Sequence, residues 1–295
     1  MLRTARRFDR LSRQAVVAGL LAGTSVFATA PATAQPSDTT AISTKPLFVE
    51  RDAYYAAGFT LATLAATPLD RYFATRLQQP WSQENRFLAK TADILRVIGQ
   101  PGAYIIGAGM YGAGRLFKNE RMADLGLHGT EALVVGQATG LVLKGLFGRA
   151  RPYVTEDDPN PFQFKFLRGF GRDEAYRSFP SGHTIAGFAA ASAVVTETNR
   201  WWPNASWYIG PLMYGGATLI GVSRMYNNKH WASDVITGAL IGSFAGRKIV
   251  RYHHSHPDNR IDDWFLSGSI SHGENGGMAL RLSILPRSMV PSSIR

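Results

Sequence analysis

Six stretches of this chain, near residues 52–67, 89–115, 128–147, 182–197, 207–224 and 232–251, are rich in Ala, Gly, Leu, Ile and Val, and each is long enough for a substantial helix. Strand-like alternation is nearly absent between them. Small residues along apolar helices let backbones approach closely. The expected fold is therefore all-α, a bundle of about six helices over residues 51–252. Beyond Pro257 the pattern changes. Met278 to Ile284 alternates as a half-buried strand does, Gly273 to Gly277 is a turn signal, and Ser267 to His272 offers a partner. A short C-terminal β-hairpin, without chemistry, is expected within residues 253–295.

Water or lipid is the harder question for such a bundle. Residues 207–222 carry no charge and nearly reach a bilayer-spanning length. Residues 128–147, however, hold His128, Glu131 and Lys144, and residues 89–115 hold Lys90, Asp93 and Arg96. A mean hydropathy of −0.09 is low for six helices in lipid. The balance favours a soluble or peripheral bundle that can still contact a membrane.

Residues 1–34 read as a secretory signal peptide. An Arg-rich start leads into an apolar run from Ala15 to Phe27, and Ala32-Thr33-Ala34 precedes Gln35 as a cleavage site. An uncleaved anchor is the alternative. Residues 35–50 follow as a flexible lead-in. Export to a bacterial periplasm is expected, as a soluble or membrane-associated protein. The chain has no Cys, which excludes disulfides and thiolate metal sites. Of the net charge of +11, five arginines and Asp9 place +4 in the leader, leaving +7 for residues 35–295. A basic chain suits anionic substrates or an anionic membrane surface. Nucleic acid is not expected, because no interleaved aromatic and basic patch is present.

Three separated segments carry chemistry: Lys144 with Arg151-Pro152, Pro180-Ser181-Gly182-His183, and Ser223-Arg224 followed by His230 and Asp234. Phosphoryl transfer spreads negative charge over equatorial oxygens, so catalysis needs fixed cations around them. Arg151 and Arg224 offer planar forks and Lys144 a point charge. Ser181 and Gly182 precede an apolar helical run, so their backbone N–H groups belong at a helix N-terminus, an anion site. His230 and Asp234 are four apart and would share one helix face, with the carboxylate fixing the tautomer of a nucleophilic imidazole. His183 would come from another helix as the acid and then the base. No cofactor or metal is called for.

At these positions the chain resembles the type 2 phosphatidic acid phosphatase superfamily, which includes bacterial class A acid phosphatases and vanadium haloperoxidases. The family pattern is Lys, six residues, Arg-Pro; then Pro-Ser-Gly-His; then Ser-Arg, five residues, His, three residues, Asp. Every fixed position is matched between residues 144 and 234. The resemblance implies a helical bundle and a metal-independent phosphatase with a covalent phosphohistidine. It makes His230 the nucleophile, His183 the acid and base, and Asp234 the partner of His230. Lys144, Arg151, Ser181, Gly182 and Arg224 become the phosphate binders.

Singly, each residue has a plainer reading: a solvated helix end for Lys144, a helix cap for His183, a helix-start carboxylate for Asp234. His253, His254 and His256 with Asp258 invite a metal reading, but their spacing matches no recurrent zinc pattern, and they follow the last helix as polar residues often do. Trp201-Trp202-Pro203 suits an interfacial anchor or a packed loop equally. Between Tyr153 and Ser178, Phe162, Phe164, Phe166 and Phe170 stand beside Lys165, Arg168 and Arg172, as a lipid-facing loop would have them, though large aromatics more often close a core. The leading expectation is a phosphatase of lipid phosphates or pyrophosphates. A periplasmic acid phosphatase of small organic phosphates, a vanadium-dependent haloperoxidase and a non-catalytic lipid-binding envelope protein are the alternatives.

Overall fold

Each of the six apolar stretches forms helix, and one of them breaks in two. The computed structural model describes residues 48–155, 157–256, 259, 261–262, 269–272 and 278–281. The expected signal peptide, residues 35–47 of the lead-in, and Asp258 lie outside them. Seven long helices are present among the described residues: α1 (Arg51–Arg76), α2 (Arg86–Val97), α3 (Ala103–Leu116), α4 (Glu120–Phe147), α5 (Gly182–Trp201), α6 (Ser206–Tyr226) and α7 (Ala232–Ser255). A single turn, Pro80–Gln83, precedes α2.

Local chemistry sets several boundaries. Asn85 caps α2 by accepting from the N–H groups of Phe87 and Leu88, and Asn119 caps α4 by accepting from Met122. The expected continuous helix over 89–115 is instead α2 and α3, separated by a π-helical kink at Ile98–Gly102. Pro101 has no N–H to give, and the residue before a proline is pushed to extended backbone. Gln100 accordingly sits at φ −153°, ψ 126°.

α5 is the centre of the bundle and packs on α4, α6 and α7, while α1 covers the outer side of α7. Ile185, Ala186, Ala189 and Ala193 of α5 are fully buried. The core joins Ala132 and Leu133 of α4 to Ala186 and Ala189 of α5 and Ile249 of α7. Such small side chains bury little area each, so stability here depends on close approach. At Gly242 of α7 an added β-carbon would meet the Ile185 carbonyl and lie 2.9 Å from the Ala189 nitrogen.

Large apolar side chains also face outward, including Leu61 and Leu64 of α1, Ile105 and Ile106 of α3, Leu141 and Val142 of α4, and Leu212 of α6. No helix among the described residues is long and apolar enough to cross a membrane.

The C-terminal hairpin is not supported as part of the architecture. Of that stretch only Ser269–His272 and Met278–Arg281, four residues each, are described. The fold that positions the site is helical throughout.

Antiparallel connections place the ends of α4 and α6 beside the starts of α5 and α7. Lys144 at the end of α4 bonds the Pro180 carbonyl just before α5, and the Ser181 N–H bonds the Asp234 carbonyl at the start of α7. Two helix N-termini and a cluster of cations thereby meet at one end of the bundle.

Candidate active site

Lys144 lies in the last turn of α4, which Gly148 terminates at φ 49°, ψ 43° with its N–H bonded to the Lys144 carbonyl. Left-handed backbone favours glycine. It turns residues 149–151 across the end of the bundle. The Lys144 ammonium is buried and donates to the carbonyls of Pro180 (2.5 Å) and Arg177 (2.8 Å). Burial, and then the neighbouring Arg151, push it down to about 7. Arg151 donates from Nε to the Glu174 carbonyl at 2.7 Å and from Nη2 to the Glu174 carboxylate at 3.1 Å.

α5 starts at Gly182 with buried Ser181 as its N-cap. The Ser181 hydroxyl does not cap its own helix but accepts from Thr184 Oγ1 at 2.8 Å. Gln137 Nε2 holds the Gly182 carbonyl at 2.6 Å. His183 follows in the first turn, half-buried. Burial and then Arg224, Arg96, Lys144 and Arg151 push its ring down to about 3. It is therefore neutral at pH 7 while the cations around it are uncompensated.

Arg224 occupies the last turn of α6 and is 5% exposed, yet its Nε and Nη1 have no hydrogen-bond partner. A buried guanidinium in that condition is costly. Burial, then Arg151 and Arg96, bring it down to about 10.

His230 and Asp234 do not share a helix face. His230 lies in the non-helical segment before α7, and Asp234 is the third residue of α7, where it accepts from the N–H of Trp231, the N-cap, at 2.9 Å. The turn into the helix brings the two together, with His230 Nδ1 3.6 Å from Asp234 Oδ2. That is longer than a hydrogen bond, and His230 Nδ1 has no hydrogen-bond partner among the described residues. The Asp234 oxygens are taken up by Arg149 Nη1 (2.5 Å), Ser178 Oγ (2.5 Å) and the Trp231 N–H. Burial alone would raise this carboxyl, but Arg149 and the hydrogen bonds hold it well below the usual carboxylate range. Burial pushes the His230 ring well below its ordinary value, so it is a neutral imidazole.

Sequence reasoning missed the residues that hold Asp234. Arg149, two places before Arg151, is 2% exposed. It bridges Asp234 and Asp70 of α1 (2.7 Å), also bonds Ser233 Oγ (2.7 Å) and the Pro161 carbonyl (2.9 Å), and lies over the rings of Phe164 and Trp231. Asp70 in turn accepts from the N–H and hydroxyl of Ser233, each at 2.7 Å. Trp231 Nε1 ties the arrangement to the Ala150 carbonyl at 2.8 Å. Two arginines were visible at 149 and 151, but nothing local marks which turns inward, and Asp70 is 164 residues before Asp234. Arg96 of α2, charged against both His183 and Arg224, carried no local signal either.

The phenylalanines of the loop between Tyr153 and Ser178 are exposed rather than closing the core: Phe162 by 69%, Phe166 by 74% and Phe170 by 61%. Trp201 and Trp202 meet the guanidinium of Arg121.

Residues 127–257 match the family model described as PAP2 superfamily. A lipid A 1-phosphatase of Porphyromonas gingivalis is 36% identical over 114 residues, covering 39% of this chain and 22% of that protein. An undecaprenyl-diphosphatase of Sulfolobus acidocaldarius is 27% identical over 134 residues, covering 44% of this chain and 54% of the relative. The chain thus spans about a fifth and about half of these curated relatives. Among solved structures, a transmembrane PAP2 type phosphatidylglycerolphosphate phosphatase from Bacillus subtilis superposes with a TM-score of 0.51 at 20% identity, over 72% of this chain and 99% of that one. That likeness is one of fold.

Proposed function

We propose that this chain, whose residues 127–257 belong to the PAP2 superfamily, is an exported phosphatase that hydrolyses lipid phosphates or pyrophosphates without a metal in its reaction site. The observation that carries the reading is the buried Arg224, whose Nε and Nη1 have no hydrogen-bond partner among the described residues and which acts together with Lys144, Arg151 and Arg96 on the neutral ring of His183. A phosphate group supplies the acceptors that Arg224 lacks and the negative charge that Lys144 and Arg151 call for. Ser181 and Gly182 add backbone N–H groups at the start of α5.

In the reaction the free lone pair of His230 forms a bond to phosphorus while the bond to the leaving oxygen breaks. His183 gives its proton to that oxygen. Asp234, locked by Arg149, Ser178 and Trp231, stabilises the charge that grows on the His230 ring, and its 3.6 Å contact tightens in the transition state. His183, now neutral, takes a proton from water as that water attacks phosphorus and restores free His230. Burial and then the surrounding cations hold His183 near 3; a bound phosphate removes the cations' share and adds a negative charge, which raises the ring towards the proton that it must donate.

The exposed phenylalanines of that loop and the apolar outer helix faces support an amphipathic substrate at a membrane surface. Both curated relatives carry names of lipid-phosphate hydrolases. The test is phosphate release by the purified protein in a chelator, from matched lipid and water-soluble esters. Release from lipids that disappears in His230→Ala is expected. Release that survives that change would sink the mechanism, and release from soluble esters alone would point to an acid phosphatase.

A further inference from the structure

We propose that His128, His253 and Asp262 bind a divalent metal ion of tetrahedral preference, of which zinc is the best match, at the end of the bundle opposite the phosphate cations. His128 is 16 residues before Lys144 on α4, about 24 Å along the helix axis, and His253 is 19 residues after Asp234 on α7, about 28 Å. No step of the phosphatase chemistry reaches that far. The site rests on residues that the reaction does not use.

The donor atoms already converge. His128 Nε2 is 3.3 Å and His253 Nδ1 is 2.7 Å from Asp262 Oδ1, and all three lie within 4.8 Å of one another. Metal bonds of about 2.0–2.1 Å in a tetrahedron space their ligand atoms by about 3.3 Å. The opposite nitrogen of each ring meets its own carboxylate: His128 Nδ1 lies 2.6 Å from Glu197, and His253 Nε2 lies 2.6 Å from Glu131. The second Asp262 oxygen accepts from Asn259 Nδ2 at 2.7 Å, and the second Glu197 oxygen meets His254 Nε2 at 2.8 Å. One ring nitrogen on a carboxylate and the other turned to a shared point is the arrangement that orients metal-bound histidines.

The two rings are stacked, with centroids 4.2 Å apart and planes 23° from parallel, and both residues are buried. All four of their ring nitrogens face carboxylate oxygens. With an ion bound, each ring would donate once, to Glu197 or Glu131, and give its other lone pair to the metal, and the ion would answer the clustered carboxylates. Water can fill a fourth position. The ion would fasten Asp262 to α4, α7 and, through Glu197, α5. Of the histidine group evident in the sequence, His256 instead stacks on Tyr252.

The test uses the full chain purified without chelator from zinc-supplemented cells. About one zinc per chain by elemental analysis is expected. Stripping the ion should lower the melting temperature, zinc should restore it, and cobalt should give the visible absorption bands of a tetrahedral site. His128→Gln and His253→Gln should lose the stoichiometric ion, whereas His256→Ala and His230→Ala should keep it. Wild-type protein that holds no stoichiometric zinc and melts identically in chelator overturns the proposal, whatever the variants do. Zinc lost only in His230→Ala overturns it too, by moving the ion to the reaction site.

Discussion

The two ends of this bundle use the same kinds of residue for opposite purposes. At one end Arg224, Arg96, Lys144 and Arg151 all bear on His183, two histidines are held neutral, and Arg224 Nε and Nη1 have no hydrogen-bond partner among the described residues. At the other end every histidine nitrogen of His128 and His253 meets a carboxylate. The lesson is that the state of a histidine here follows from its neighbours: burial among cations keeps the His183 and His230 rings neutral, whereas His128 and His253 are buried among carboxylates that take up their ring nitrogens.

The contrast can be broken most forcefully at His230. His230→Ala should lower phosphate release by about 10⁴-fold or more, with the circular dichroism spectrum unchanged, since removing a nucleophile abolishes the covalent route. Arg224→Lys comes next. One point charge in place of a fork should lower kcat/KM by about 10²–10³-fold, as loss of a single transition-state donor does. Steady-state kinetics on one soluble ester separates these two variants.

Arg149→Met tests the support beneath the catalytic end. It strands Asp70 and Asp234 without their shared cation, and breaking a buried pair costs about 3–5 kcal/mol. Denaturant titration should show that loss together with lower activity. His253→Gln should behave in the reverse manner, lowering the melting temperature while turnover below that temperature is kept.

A pH experiment sharpens the comparison. Lys144 stands near 7 in the folded, anion-free site and near 10.5 when unfolded, so the unfolded chain binds more protons between those values. Stability should rise with pH across that window. Bound phosphate, by restoring the Lys144 charge, should flatten the rise, and so should Lys144→Met; thermal melts from pH 7 to 10 would show both. The smallest effect belongs to the loop between Tyr153 and Ser178. Phe166→Ser should raise KM for vesicle-borne substrate a few-fold while leaving a soluble ester unaffected, and equal effects on both would remove the loop from lipid contact.

Much of the architecture was legible because helix periodicity and small-residue content are local properties. The apolar stretches marked α5–α7 to within about four residues at each end, while α1 runs about nine residues past its stretch and α4 starts about eight before its own, and Pro101 carried the break that a single stretch over 89–115 overlooked. The convergence of the residues proposed for the reaction was legible for a different reason. Lys144, Arg151, Ser181, Gly182, His183, Arg224, His230 and Asp234 sit at helix ends or next to them, and chemistry at helix termini leaves fixed short spacings in the chain. His230 and Asp234 show the limit, since spacing of four brought them together through a helix start and not along a helix face.

The sequence by itself determined the helical class, the positive charge and the three segments proposed to hold a phosphate, because each depends on residues close together in the chain. Only the tertiary structure decided that Arg149 rather than a surface charge locks Asp234, that Asp70 completes the lock from 164 residues away, and that His253 pairs with His128 and Asp262 instead of His256. Those choices follow from which side chains lose water together when α1, α4, α5 and α7 pack. Burial makes a buried charge find whatever partner the packing supplies, and no local pattern records which one that is.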